Sequence, residues 1–264
     1  MALVTLNMES RFLQGSTTIS LLLPDEGKLR DGGKRYRVLW LLHGTGGDHS
    51  DYIRKTSLER YVQGKDLVVV MPSALNSDYV NWNGFATGFS MEDFMIQELV
   101  PFVRHWFPVS DAPKDNFIAG LSMGGRGALM LGLKWPQYFG AIGSMSFVPY
   151  RLEHDRQAPA LPAHRMENVI ANSGGWEDYL SSSYNLWERL LKQNEQEHMP
   201  PIYLSMGDKD FYYPYWQEFS LHPAAVNQAV CRRLVQGYGH EWAFWDKELP
   251  NLLDFFLSNE IKVQ

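Results

Sequence analysis

Cysteine is nearly absent from this 264-residue chain, where Cys231 stands alone. A single thiol excludes an internal disulfide and a multi-cysteine metal site. Long apolar runs are missing as well. The longest, such as Val38–Leu42 and Leu67–Met71, are strand-sized and far short of the ~20 residues that a membrane-spanning helix needs. Basic clusters are equally scarce: no Lys/Arg run exceeds two residues, and 24 Lys+Arg stand against 30 Asp+Glu for a formal net charge of −6. That balance argues against a nucleic-acid partner. Met1–Glu9 has neither a basic stretch nor a long apolar one, so no signal peptide is expected and a cytoplasmic location is. Repeats with periods of about 20–50 residues and low-complexity tracts are also lacking.

What remains is an ordinary globular composition, 45% hydrophobic and 20% charged, which rules out intrinsic disorder. The length allows one large domain with a well-buried core, or two small ones. Aromatic residues are abundant at 14% and cluster outside the strand patterns, as in Phe211-Tyr-Tyr-Pro-Tyr-Trp216. Rings with a polar handle suit a pocket or an interface and are compatible with a homo-oligomer, although a large core also uses them.

The order of elements follows from hydrophobic period. The first ~35 residues alternate apolar and polar and read as antiparallel strands ending in a turn at Pro24–Gly27. From Val38 the apolar runs become continuous, as expected of strands buried on both faces of a parallel sheet. Further strands are predicted at Leu67–Pro72, Phe117–Leu121, Phe139–Phe147, Ile202–Met206 and Val230–Val235. Helices are predicted at Ser57–Gly64 with Ser57 as N-cap, and at Met91–Phe107 with a stripe running from Phe94 to Trp106 and a break at Pro101. Others are predicted at Gly124–Trp135, Tyr184–Glu197, the end of one at Ala224–Ala229, and Trp242–Leu257 with Pro250 kinking it. Residues 148–183 lose their period and read as an irregular, lid-like insertion in a single domain spanning 1–264. Strands alternating with helices imply a mostly parallel sheet covered on both faces, with an antiparallel N-terminal edge.

Gly120-Leu-Ser-Met-Gly124 fits G-x-S-x-G, with an apolar strand before it and a helix after it. That context makes a nucleophile elbow, in which Ser122 is exposed on a strained turn at a helix N-terminus. A serine hydroxyl is a weak nucleophile and needs a base that is itself oriented by an acid. In this arrangement the acid and then the histidine follow on loops after later strands. Gly207-Asp-Lys-Asp-Phe211 and Gln236-Gly-Tyr-Gly-His240 occupy those places. His240 takes the base role, while Asp208 and Asp210 compete for the acid role and position alone does not choose between them. The other histidines lack this strand-end context, except His43 in the loop described next. Leu42-His-Gly-Thr-Gly-Gly47 follows the first buried strand and suits the second half of an oxyanion hole, whose other donor is the N–H of Met123. Thr45 is the candidate donor, with Gly44 or Gly46 as fallback. Neither phosphate-loop pattern is present there.

These segments, together with Val69-Val-Met-Pro72 and Gly239-His-Glu-Trp-Ala-Phe-Trp245, resemble the putative-esterase family of α/β hydrolases, and within it the bacterial tributyrin esterases. The likeness runs from about residue 3 to about residue 258. It implies an α/β-hydrolase fold and a small serine carboxylesterase that cleaves short acyl esters, acetylated sugars included in some members, without metal or organic cofactor. It also implies Asp210 as the acid and supports Thr45 and Met123 as oxyanion donors. Relatives that hydrolyse S-formylglutathione carry a cysteine near the oxyanion loop, whereas Cys231 lies in a distant predicted strand. Trp82, Phe85, Phe211, Tyr212 and Trp242 are candidate substrate-pocket walls around a small-molecule ester. A carbohydrate-binding protein on the same scaffold, and acyl transfer to an alcohol, are the alternative readings.

Overall fold

The computed structural model describes residues 1–24, 33, 35–82, 84, 88–151, 163–195 and 199–258, with side chains omitted at 163–166. The turn expected at Pro24–Gly27 and the pocket candidate Phe85 fall outside the described residues.

Among the described residues ten strands carry the fold: β1 Ala2–Ser10, β2 Gly15–Leu23, β3 Arg37–Leu42, β4 Leu67–Pro72, β5 Asn81–Trp82, β6 Phe89–Ser90, β7 Asn116–Leu121, β8 Ala141–Met145, β9 Ile202–Gly207 and β10 Val230–Val235. Eight form one sheet in the order β1-β2-β4-β3-β7-β8-β9-β10, and β5 pairs with β6 as a separate ribbon. β1, β2 and β4 run antiparallel in turn, and every pair from β4 to β10 is parallel. The apolar runs of β3, β4, β7, β8 and β9 are buried along almost their whole length, as double-faced burial requires. β1 alternates along an exposed edge, and β10 guards the other edge with Arg232 and Arg233.

One apolar cluster lies on each face of the sheet. The first is built around Trp40, Phe94, Phe139 and Leu204, the second around Leu39, Tyr52, Phe117 and the C-terminal helix Trp242–Leu257. That helix runs through Pro250 as one element.

Several local expectations are corrected. Part of the stretch expected to be irregular is helical, at Ala163–Asn172 and Trp176–Ser181. Ser57 makes no side-chain cap; the N–H of Leu58 donates instead to Thr56 Oγ1 at 3.2 Å. At Ala224–Ala229 there is a 3-10 turn, Pro223–Val226, rather than the end of an α-helix. Between the helical segments Met91–Asp93 and Val100–Trp106, residues Phe94–Leu99 form a π-helical turn just before Pro101. A proline ring clashes with the carbonyl four residues back, and a widened turn relieves that clash. The extra residue rotates the following face, so Ile96 and Val100 are buried while Trp106 is 67% exposed.

The chain leaves β3 to add β4 on one side and later β7 on the other, so the topological switch point lies between β3 and β7. Ligand sites of open α/β sheets form beyond the strand C-termini at such a point. There the strand end of β3 and the helix after β7, Met123–Lys134 (the elbow helix), nearly touch. A Cβ on Gly124 would overlap the carbonyl oxygens of Leu42 and His43, which are backbone atoms with no room to give. Gly124→Ala is therefore expected to lower stability by about 3 kcal/mol or more. Gly15→Ala, with nothing within 4 Å of the added methyl, should change stability by under ~1 kcal/mol. Urea unfolding of the two variants checks the contrast, and equal losses would refute it.

Candidate active site

Four strand ends converge on one patch. Ser122 follows β7 with φ 52° and ψ −119°, a left-handed conformation that a non-glycine residue adopts only when its surroundings hold it. Those surroundings are visible: the Ser122 N–H donates to the Met145 carbonyl at 2.8 Å, and the Ser122 carbonyl accepts from the Arg126 N–H at 3.0 Å. The strain turns the hydroxyl out of the sheet, toward the loop after β10. There Ser122 Oγ lies 2.9 Å from His240 Nε2, and His240 Nδ1 lies 3.1 and 3.0 Å from the two carboxylate oxygens of Asp210. The Asp210 side chain is wholly buried, and Oδ1 also accepts from the Tyr212 N–H at 2.9 Å.

Asp208 points elsewhere. Its Oδ1 accepts from the Gly237 N–H at 2.6 Å, and the neighbouring Lys209 N–H donates to the Tyr238 carbonyl at 2.9 Å. Both contacts clasp the loop after β9 to the loop that carries His240. The two aspartates thus divide the work: Asp210 meets the ring, Asp208 fixes the chain beneath it.

The Gly-rich loop after β3 closes as a turn, with the Gly47 N–H donating to the Gly44 carbonyl at 3.1 Å and Gly46 at φ 75°. Gly44 lies against the elbow, since a Cβ there would approach Ser122 Cβ to 3.4 Å. The Gly46 N–H donates to Asn76 Oδ1 at 2.8 Å and is thereby engaged. Met123 opens the elbow helix, so its N–H has no intrahelical acceptor.

Aromatic rings frame His240. Phe211 lies 4.2 Å from it, centroid to centroid, and is 46% exposed, while Tyr212 is buried at 5.7 Å. Trp242 packs instead on Tyr52, Trp245 and the Lys55 ammonium. Trp82 lines a recess of about 370 Å³ with Leu75, Ser77, Phe89 and Asn76, the residue that also bonds Gly46. Among the described residues, no three His, Cys, Asp or Glu side chains are grouped to hold a metal ion.

Sequence reasoning assigned no role to four residues that shape this patch. Trp245 sets its ring edge-on to His240 at 5.1 Å and donates from Nε1 to Ser146 Oγ at 2.9 Å. It was visible only as the last letter of the Gly239–Trp245 motif. His43 is buried, with Nδ1–H donating to the Gly44 carbonyl at 2.7 Å and Nε2 accepting from the Ala74 N–H at 2.9 Å. Burial pushes its pKa down, and the two hydrogen-bond partners select the tautomer. Tyr79 Oη–H donates to the His43 carbonyl at 3.1 Å. Asn76 is the fourth, and nothing in its local sequence sets it apart.

Residues 10–256 match the family described as Putative esterase. An acetyl esterase of Caldicellulosiruptor saccharolyticus is 27% identical over 97% of this chain and 98% of its own. Two solved structures from Staphylococcus aureus superpose over nearly full length. An S-formylglutathione hydrolase (27% identity, TM-score 0.78) is covered over 97% of this chain and 98% of that one. The fluorophosphonate-binding serine hydrolase FphF (25% identity, TM-score 0.79) is covered over 98% and 99%. The chain therefore belongs to the Putative esterase family and is a carboxylic ester hydrolase with the α/β-hydrolase architecture.

Proposed function

We propose that the chain, acting as a single domain, is a cytoplasmic serine carboxylesterase for short-chain acyl esters. Ser122 is its nucleophile, His240 its base and Asp210 its acid. The observation that carries this reading is the continuous hydrogen-bonded relay from Ser122 Oγ through His240 to Asp210. Ser122 Oγ attacks the ester carbonyl carbon as its proton passes to His240 Nε2. Asp210 keeps Nδ1 protonated and stabilises the imidazolium that forms. The carbonyl oxygen, now an oxyanion, accepts from the N–H groups of Met123 and Thr45, donors worth ~3–4 kcal/mol each when already in place. Collapse breaks the bond to the leaving alkoxide, which takes the proton from His240. Water then repeats the sequence on the acyl-enzyme, releasing the carboxylic acid and restoring Ser122.

The preference for short acyl groups is supported by the relatives' own names, since acetyl and formyl are both small. The rings of Phe211 and Tyr212 pack beside His240, where bulky aromatic walls favour a small acyl group. With p-nitrophenyl acetate, butyrate and octanoate, kcat/KM is expected to fall from butyrate to octanoate. A fluorophosphonate label should attach at Ser122 in peptide mass spectra. Activity rising steadily to octanoate would remove the short-chain assignment, and a label on any other serine would remove Ser122 from its role.

A further inference from the structure

Asn76 stands outside the relay, yet its Oδ1 accepts from the Gly46 N–H in the turn that faces Ser122. We infer that Asn76 is a positioning residue for catalysis, acting through Gly46 to fix the oxyanion turn Gly44–Gly47; the inference rests on the esterase reading above.

The argument starts from backbone strain. Among the described residues six non-glycines have positive φ, and three of them, Leu75, Asp78 and Tyr79, lie in the loop after β4, with Ser122 a fourth. Such residues persist only where the surrounding structure holds them, and they gather at functional sites. The holding contacts of this loop are buried. Asp78 lies 3.9 Å from the Arg126 guanidinium, both nearly inaccessible, one helical turn beyond Ser122. The Tyr79 ring fills the space above Gly127, where an added Cβ would come within 2.5 Å of it. The loop is thereby pinned to the elbow helix.

From that base it reaches across to the oxyanion loop at three points. The Ala74 N–H donates to His43 Nε2, Tyr79 Oη–H donates to the His43 carbonyl, and Asn76 Oδ1 accepts from the Gly46 N–H. The first two set where the loop leaves β3. Only the third reaches the turn itself, and it acts on the residue just after Thr45. A peptide plane is a rigid unit, so holding the Gly46 N–H limits how the Thr45–Gly46 peptide, and the Thr45 backbone ahead of it, can rotate. An oxyanion donor must already be aimed when charge develops. Asn76 is itself exposed, so its removal leaves the core contacts intact.

Asn76 also lines the recess with Leu75, Ser77, Trp82 and Phe89, so direct contact with substrate is the competing role. Kinetics separate the two. Both tetrahedral intermediates use the same turn whatever the ester. Asn76→Ala should therefore lower kcat and kcat/KM by a similar factor, on the order of ten- to a hundredfold, for acetate, butyrate and octanoate esters alike. Asn76→Asp keeps the acceptor and should restore most of the rate, while Asn76→Leu, similar in size but without one, should behave like the alanine variant. The unfolding temperature of Asn76→Ala should match the wild type. The inference is overturned by an unchanged kcat, by a loss confined to KM or to one ester, by an aspartate no better than leucine, or by a fall in unfolding temperature that accounts for the lost activity. Ser122→Ala measured in parallel keeps the readings apart. If that variant stays active the esterase assignment fails; if it is dead while Asn76→Ala is unimpaired, only the role of Asn76 fails.

Discussion

Ser122→Ala should reduce hydrolysis of p-nitrophenyl acetate and butyrate on the order of 10⁶-fold in kcat, because no other group can take its place on the acyl carbon. The substitution removes one oxygen and little else. The backbone contacts that hold residue 122 at φ 52°, to Met145 and Arg126, involve main-chain atoms and survive it. What remains is the residual rate that oxyanion donors and binding supply without a nucleophile, ~10³–10⁴ over water. A second serine makes the test specific. Ser146 also has a left-handed backbone, φ 54°, at the end of the adjacent strand β8, and it too is buried. Its hydroxyl, however, accepts from Trp245 Nε1 and does not meet His240. Ser146→Ala should leave the indole N–H without its acceptor and lower stability by about 1–3 kcal/mol, with catalysis largely kept. If Ser146→Ala were the dead enzyme and Ser122→Ala the active one, the elbow would have been assigned to the wrong strand.

The difference between what the sequence discloses and what it withholds follows from the distance over which each feature is determined. Val38–Leu42 and Leu67–Pro72 announce buried strands because double-faced burial leaves every position apolar. The elbow is legible because its glycines are local requirements: Gly120 and Gly124 sit where helix and strand backbones meet, and no side chain fits there. The π-helical turn is not legible from period alone. It shifts the phase mid-helix, so a stripe drawn through Trp106 at regular spacing lands on solvent. The helices at Ala163–Asn172 and Trp176–Ser181 escape because they are short, ten and six residues, and so brief a segment does not fix a period. Asn76 and His43 belong to different loops, and only the adjacency of β3 and β4 lets one brace the other's turn. Such contacts leave no trace in either loop's own residues.

The choice between Asp208 and Asp210 is of the same kind, and it yields the second large effect. Two residues apart in one turn, they have the same chemistry and opposite destinations. Asp210→Asn should lower kcat about 10⁴-fold with the fold preserved. The buried carboxylate can only accept, so His240 Nδ1 must carry the proton and Nε2 is left bare to receive one from Ser122. A carboxamide in that place can turn its NH2 toward Nδ1. The ring then flips tautomer, Nε2 carries a proton, and it donates to Ser122 Oγ instead of accepting from it. Asp208→Asn keeps an oxygen for the Gly237 N–H, so it should cost about 1 kcal/mol of stability and less than ~10-fold in kcat. Measuring kcat, KM and urea unfolding for both variants tests the division directly. Should Asp208→Asn prove the crippled enzyme while Asp210→Asn turns over at near the wild-type rate, the relay in the resting geometry would not be the one that operates. His240 would then have to reach Asp208 by breaking the clasp at Gly237, a rearrangement that would make Asp208 a catalytic acid and Asp210 a support for the Tyr212 backbone.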